Sequence, residues 1–192
     1  MNNVRRVVTG HLNGAPVIAS DEQVAERSPA LGGGITTVPI WGASEPPRFP
    51  DDGSPGEHPR FSPPPGAFHF SLFSVPTAEE AANFQFPSDF DAAAAEMEQE
   101  VPGLLEVMEP DAPGMHRTDS IDFILVLSGE LTLELGEGVS TVLHAGDTVI
   151  QNATRHRWIN NGSERAWLAA VVLGAEYVAA EETTSEQEAK VG

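Results

Sequence analysis

An all-β fold, an antiparallel sandwich or barrel with one or two short helices, is what this sequence predicts, and three observations predict it. Between residues 115 and 173, short apolar runs carry polar residues at alternate positions, and side chains two apart on a strand share a face. Glycine-bearing turns separate the runs, at Ser128-Gly129, Gly136-Glu137-Gly138, Ala145-Gly146-Asp147 and Asn161-Gly162-Ser163. No glycine-rich dinucleotide or phosphate-binding signature of a parallel α/β sheet interrupts them. A chain of 192 residues holds one domain with a sizeable core plus excursions, and its length does not ask for a second.

Taken in order, residues 4–12 and 15–20 read as strands around Asn13-Gly14, the dipeptide that most readily supplies positive φ at a type I′ hairpin turn. Residues 35–41 form a further strand after Gly32-Gly33-Gly34, so residues 1–43 are expected to extend the sheets of the barrel. The segment 44–66 is dense in proline, from Pro46 to Pro65, and proline removes ladder donors, so it is a loop outside the barrel. So long a loop is either a lid over a site or a disordered insertion. Residues 67–75 (AFHFSLFSV) alternate, with Phe68, Phe70 and Leu72 on one face and His69, Ser71 and Phe73 on the other. One face serves the core and the other is a candidate pocket lining.

Ser88 then precedes DFDAAAAEMEQEV, alanine-rich with acids in its first turn, which predicts a helix over residues 88–100 that ends near Pro102-Gly103. Six strands follow, at residues 120–127, 130–135, 139–143, 148–151, 156–160 and 166–173. The barrel domain is thus expected over 67–178. Residues 179–192 form an acidic tail without apolar periodicity, a solvated or frayed end.

Composition removes several function classes. The formal charge of -19, from 29 acidic against 10 basic residues, repels phosphate backbones and anionic lipid surfaces, so neither nucleic acid nor membrane is expected as a partner. No helix-turn-helix, zinc-finger or basic patch accompanies the strands. Cysteine is absent, which excludes disulfides, thiolate ligands and cysteine nucleophiles. The start, MNNVRRVV, lacks the apolar stretch of a signal peptide, and no run approaches the roughly eighteen apolar residues of a membrane span. A soluble cytoplasmic protein is the expectation.

The chemistry concentrates in two segments, GMHRTDSIDFILVLSGE from Gly114 to Glu130 and AGDTVIQNATRHRWINN from Ala145 to Asn161. In a small barrel they would aim His116, Asp122 and His156 at one interior spot. These segments resemble the two motifs of the cupin family of double-stranded β-helix, or jelly-roll, proteins. Gly114, His116, Thr118, Asp122 and Gly129 hold the places of the first motif, with Thr118 where a second histidine is usual. Gly146, Asp147, Gln151, Ala153, His156 and Asn160 hold those of the second, with its proline and glycine replaced and its spacing one residue shorter. The resemblance covers residues 110–173.

It implies a cupin-like jelly-roll barrel and a divalent metal (Fe, Zn, Mn or Ni) on His116, Asp122 and His156. Two histidines and a carboxylate suffice for open non-haem iron or zinc sites. Thr118 and Ser120 border that spot, His69 could supply a further nitrogen, and Trp158, two positions after His156, is a candidate pocket wall. The bland account is a metal-free polar pocket in which His116 and Asp122 pair and His156 bonds Asn160 or Thr118, since buried polar groups need partners either way. Two function classes follow. One is a metal-dependent small-molecule enzyme, of lyase, isomerase or decarboxylase type or a non-haem iron oxygenase, acting on an oxygenated metabolite. The other is a non-catalytic small-molecule-binding barrel. Edge strands of an open jelly roll invite pairing, and the resemblance implies a homodimer.

Overall fold

The computed structural model describes residues 3–57 and 59–178. The elements run β1 (Asn3–Leu12), β2 (Ala15–Ala25), β3 (Thr36–Ala43), β4 (Phe68–Val75), α1 (Ala78–Ala82), α2 (Phe90–Glu100), α3 (Leu104–Val107), β5 (Ser120–Ser128), β6 (Glu130–Gly136), β7 (Val139–His144), β8 (Thr148–Asn152), β9 (Arg157–Ile159) and β10 (Ala166–Gly174). A five-stranded sheet in the order β3-β4-β10-β5-β8 faces a three-stranded sheet in the order β7-β6-β9, and every pairing is antiparallel. This is an all-β, jelly-roll-like fold. The acidic tail expected over 179–192 lies outside the described residues.

Inward positions of both sheets meet in one apolar cluster of Val75, Ile124, Val126, Leu131, Leu133, Leu143, Ala166, Leu168 and Ala170. Burying a side chain such as Leu131 or Leu168 contributes roughly 1.5 to 3 kcal/mol, so this cluster is the main thermodynamic reason the sheets stay together.

The N-terminal strands divide. β3 extends the larger sheet by pairing with β4, whereas β1 and β2 pair only with each other. Pro39 and the register shift between Pro39 and Trp41 spoil the outer edge of β3 as a template for a further strand. The hairpin instead packs on the sheet, with Val4 and Val24 against Val38, Ile40, Leu72 and Trp167. Its turn has positive φ at both Asn13 and Gly14, as a type I′ turn requires.

Three helical segments appear where one or two were expected. α1 is started by a capping box in which Thr77 Oγ1 accepts from Glu80 N and the Glu80 carboxylate accepts from Thr77 N. α2 is capped by Asp89, whose Oδ1 accepts from Ala92 N at 3.0 Å, so it begins two residues after Ser88.

The described residues of the proline-rich segment 44–66 are docked at several points. The His11 N–H donates to Asp51 O at 2.7 Å, Phe61 N–H to Pro102 O at 2.8 Å, Gly66 N–H to Gly174 O at 3.0 Å, and Asp119 N–H to Ser62 Oγ at 3.2 Å. Two glycines let it approach so closely. A Cβ on Gly10 would lie 2.2 Å from Asp52 O, and one on Gly174 only 2.1 Å from Pro64 O. The segment is therefore a fixed wall on the barrel. No helix among the described residues is long and apolar enough to cross a membrane.

Candidate functional site

The alternation of β5 sets the floor of the site. Ser120, Asp122, Ile124 and Val126 are buried, so the polar pair and the apolar pair share the inward face. His116 and His156 are joined by an isolated antiparallel bridge, the N–H of each donating to the carbonyl of the other at 3.0 and 2.9 Å. Directly opposed residues present neighbouring side chains, and the two ring centroids are 4.3 Å apart.

Both rings are held in the same way. His116 Nδ1 lies 3.0 Å from Gly114 O and His156 Nδ1 lies 3.0 Å from Thr154 O. A carbonyl only accepts, so each Nδ1 carries the proton and the lone pair of each neutral ring sits on Nε2. Burial lowers the pKa of His116. Burial and then the neighbouring His116 push His156 down to about 4, so it is a neutral base at ordinary pH. Asp122 moves the other way, with burial raising its carboxyl to about 6 against a hydrogen bond from Ser120. Ser120 Oγ is 2.6 Å from Asp122 Oδ1 and 2.8 Å from Thr118 Oγ1. One hydroxyl proton cannot serve both, so when Asp122 is ionised Thr118 donates to Ser120 and Ser120 to Asp122.

His116, Asp122 and His156 line one cavity of about 540 Å³, together with His69, Trp158, Phe73 and Phe61. That volume suits an organic metabolite. Thr118 and Ser120, both buried, act on it through Asp122. His69 stands on the cavity side of β4, its Nε2 3.1 Å from Phe61 O. Asp122 takes its hydrogen bond from Ser120 rather than pairing with His116 as in the bland reading. Asn160 donates to Val75 O and Glu164 O, so it braces a turn and leaves His156 alone. His144, on the outside, pairs with Glu130 and Asp147, and His11 is exposed on β1.

Phe61 is the lining residue that sequence reasoning missed. It belongs to the proline-rich segment, and no local pattern marks it. It reaches the cavity because that segment folds back onto Gly174 and Pro102. Ala153 had a signal that is now explained, since it occupies the motif's glycine place and has φ of 49°, the left-handed region that glycine favours.

The donor chemistry suits a divalent cation: two neutral imidazoles with Nδ1 tied to carbonyls, and a carboxylate on the same cavity. The arrangement suits it less, because among the described residues no three His, Cys, Asp or Glu side chains are gathered as an ion's ligands would be.

Residues 104–172 match the family model described as Cupin domain. Over these residues the chain carries a cupin domain. The chain is 49% identical over 53 residues to Phomopsin biosynthesis cluster protein C' of Diaporthe leptostromiformis, a match covering 28% of each chain. It is 41% identical over 46 residues to the cupin-domain-containing oxidoreductase virC of Hypocrea virens, covering 24% of each. The matches thus span about a quarter of the length of these curated relatives. Among solved structures, a putative ethanolamine utilization protein Q from Salmonella typhimurium is similar, at a TM-score of 0.42 and 14% identity, covering 92% of this chain and 98% of that one.

Proposed function

We propose that this protein is a small-molecule enzyme that moves a proton on an oxygen-bearing organic metabolite held in the cavity. The observation that carries the reading is the matched pair of buried, neutral imidazoles, His116 and His156, each with Nδ1 committed to a carbonyl and Nε2 left as the base. An imidazole that acts as general base must be unprotonated and within reach of the proton it takes, and both rings line the cavity. His156 Nε2 is the base that removes a proton from carbon or hydroxyl. Asp122, with its pKa near 6, is the group able to return it, and Ser120 and Thr118 hold that carboxyl in place. Three matched relatives bear the name cupin-domain-containing oxidoreductase, which supports a catalytic reading over a purely structural role.

The test is a panel of hydroxy, keto and phenolic compounds followed by NMR in D₂O, under air and under nitrogen, with chelator or with added Fe, Zn, Mn or Ni. Turnover or deuterium incorporation is expected with the wild-type protein, lost in His156→Ala and reduced in Asp122→Asn. Activity that requires an added ion in the same screen would assign His116, His156 and Asp122 to holding it. Saturable binding of panel compounds with no turnover under any condition would replace this reading by the non-catalytic binding barrel.

The reading extends to assembly as a homodimer. β8 is the outer strand of the five-stranded sheet, and Ile150 on it stands opposite Phe123, with exposures of 52% and 46% on the outer face. An open edge beside an apolar face fits a second copy of the same strand, related by a two-fold axis. Light scattering is expected to return twice the chain mass, and a single-chain mass across a wide concentration range would remove this part.

A further inference from the structure

Six rings line the cavity in unbroken succession, from His69 through Phe61, His116, His156 and Trp158 to Phe73. Their successive centroid separations are 6.2, 5.6, 4.3, 5.7 and 6.5 Å. All fall within the range, up to about 7 Å, at which aromatic rings attract one another and a further ring laid against them. His116 and His156 occupy the middle of the arc, Phe61 and Trp158 flank them, and His69 and Phe73 stand at its ends.

We infer that the arc is a binding strip for a planar aromatic substrate that carries a hydroxyl or enol group, with Phe61 and Trp158 as its specificity-determining residues. The inference rests on the cavity being the substrate site of the proposed function, and it names the substrate class. A flat ring system contacts the flanking rings by stacking or by its edges, and a saturated skeleton of the same size cannot match those contacts. The hydroxyl then meets the imidazole Nε2, the acceptor that both rings leave uncommitted to the backbone. Phe61 comes from the proline-rich wall and Trp158 from β9, so the two flanking positions lie on separate parts of the fold and can be changed independently.

Isothermal titration calorimetry on the full chain tests this with 2-naphthol and its saturated counterpart decahydro-2-naphthol, which share a skeleton and a hydroxyl. One 2-naphthol per chain is expected, at least tenfold tighter than the saturated alcohol. Phe61→Leu and Trp158→Leu should each erode that preference about tenfold by weakening 2-naphthol alone, while Phe61→Trp restores it. His156→Phe keeps a ring in the arc but removes the acceptor, and 2-naphthol should weaken severalfold. Circular dichroism accompanies each variant, and Phe61→Trp against Phe61→Leu keeps the test valid if one of the other variants folds poorly. Equal binding of the two alcohols, no saturable binding of 2-naphthol, or loss of both alcohols alike in the leucine variants would overturn the inference. Selective 2-naphthol binding without any turnover would leave it standing while removing the catalytic reading.

Discussion

The same strands build both ends of the barrel, yet one end is a closed apolar core and the other a cavity that carries titratable side chains among apolar ones. β5 gives Val126 to the first and Asp122 to the second, β10 gives Leu168 to the first and Val172 to the cavity wall, and Ile124 and Ala170 stand where the two meet. The core end gains free energy from every buried methylene. At the cavity end, burial works against the charged forms of His116, Asp122 and His156, and each needs a hydrogen bond to remain there. The molecule thus keeps its stability at one end and its buried titratable side chains at the other, on a common set of β-strands.

Substitutions at the two ends should therefore behave differently, and the largest expected difference comes from the core. Leu131→Ala should lower unfolding free energy by about 2 to 5 kcal/mol in urea titration, because Leu131 is 1% exposed and its removal leaves a cavity among packed side chains. His156→Ala should cost less, since a group that resists burial is removed with it. A His156→Ala protein as unstable as Leu131→Ala would break the comparison.

Next in size is the dependence of stability on pH. Asp122, raised to about 6, favours the folded state below its unfolded pKa of about 4, and that contribution is lost as pH rises through 6. His156, lowered to about 4, favours the folded state above its unfolded pKa of about 6.5, and that contribution is lost as pH falls toward 4. The two terms, each on the order of 2 to 3 kcal/mol, oppose each other across roughly pH 4 to 6.5. Removing one should unmask the other. Thermal melting of Asp122→Asn should show stability falling on acidification more steeply than in the wild type, and His156→Gln should show the reverse trend. Parallel profiles in the two variants would mean that these groups do not titrate as their burial demands.

Gly174→Ala probes the seam between barrel and wall. With its Cβ 2.1 Å from Pro64 O, the variant should lose about 1 to 3 kcal/mol through overpacking. Limited proteolysis should then cut within residues 44–66 sooner than in the wild type. The smallest effect expected is a gain. Ala153→Gly should stabilise the turn before His156 by about 1 to 2 kcal/mol, because a left-handed backbone costs an L residue roughly that much. An unchanged melting temperature would show that the site's neighbours already absorb the strain.

Much of this was present in the sequence because its signals are local. Alternation set Asp122 on an inward face and put His69 and Phe73 on a common face, Asn13-Gly14 marked the hairpin, and the two motif segments brought out His116 and His156. The capping box at Thr77 was equally local, and reading it would have predicted α1. What the sequence by itself determined, then, was strand identity, face and turn, since each follows from backbone sterics over a few residues. Tertiary structure alone decided the rest. The bridge that sets His116 against His156, the hydrogen bond that gives Asp122 to Ser120, the seating of the hairpin on the sheet and the arrival of Phe61 from the proline-rich wall all depend on chain segments that meet only after folding. Such meetings are governed by close packing and by which buried polar groups find partners, and neither is written in any short stretch of residues.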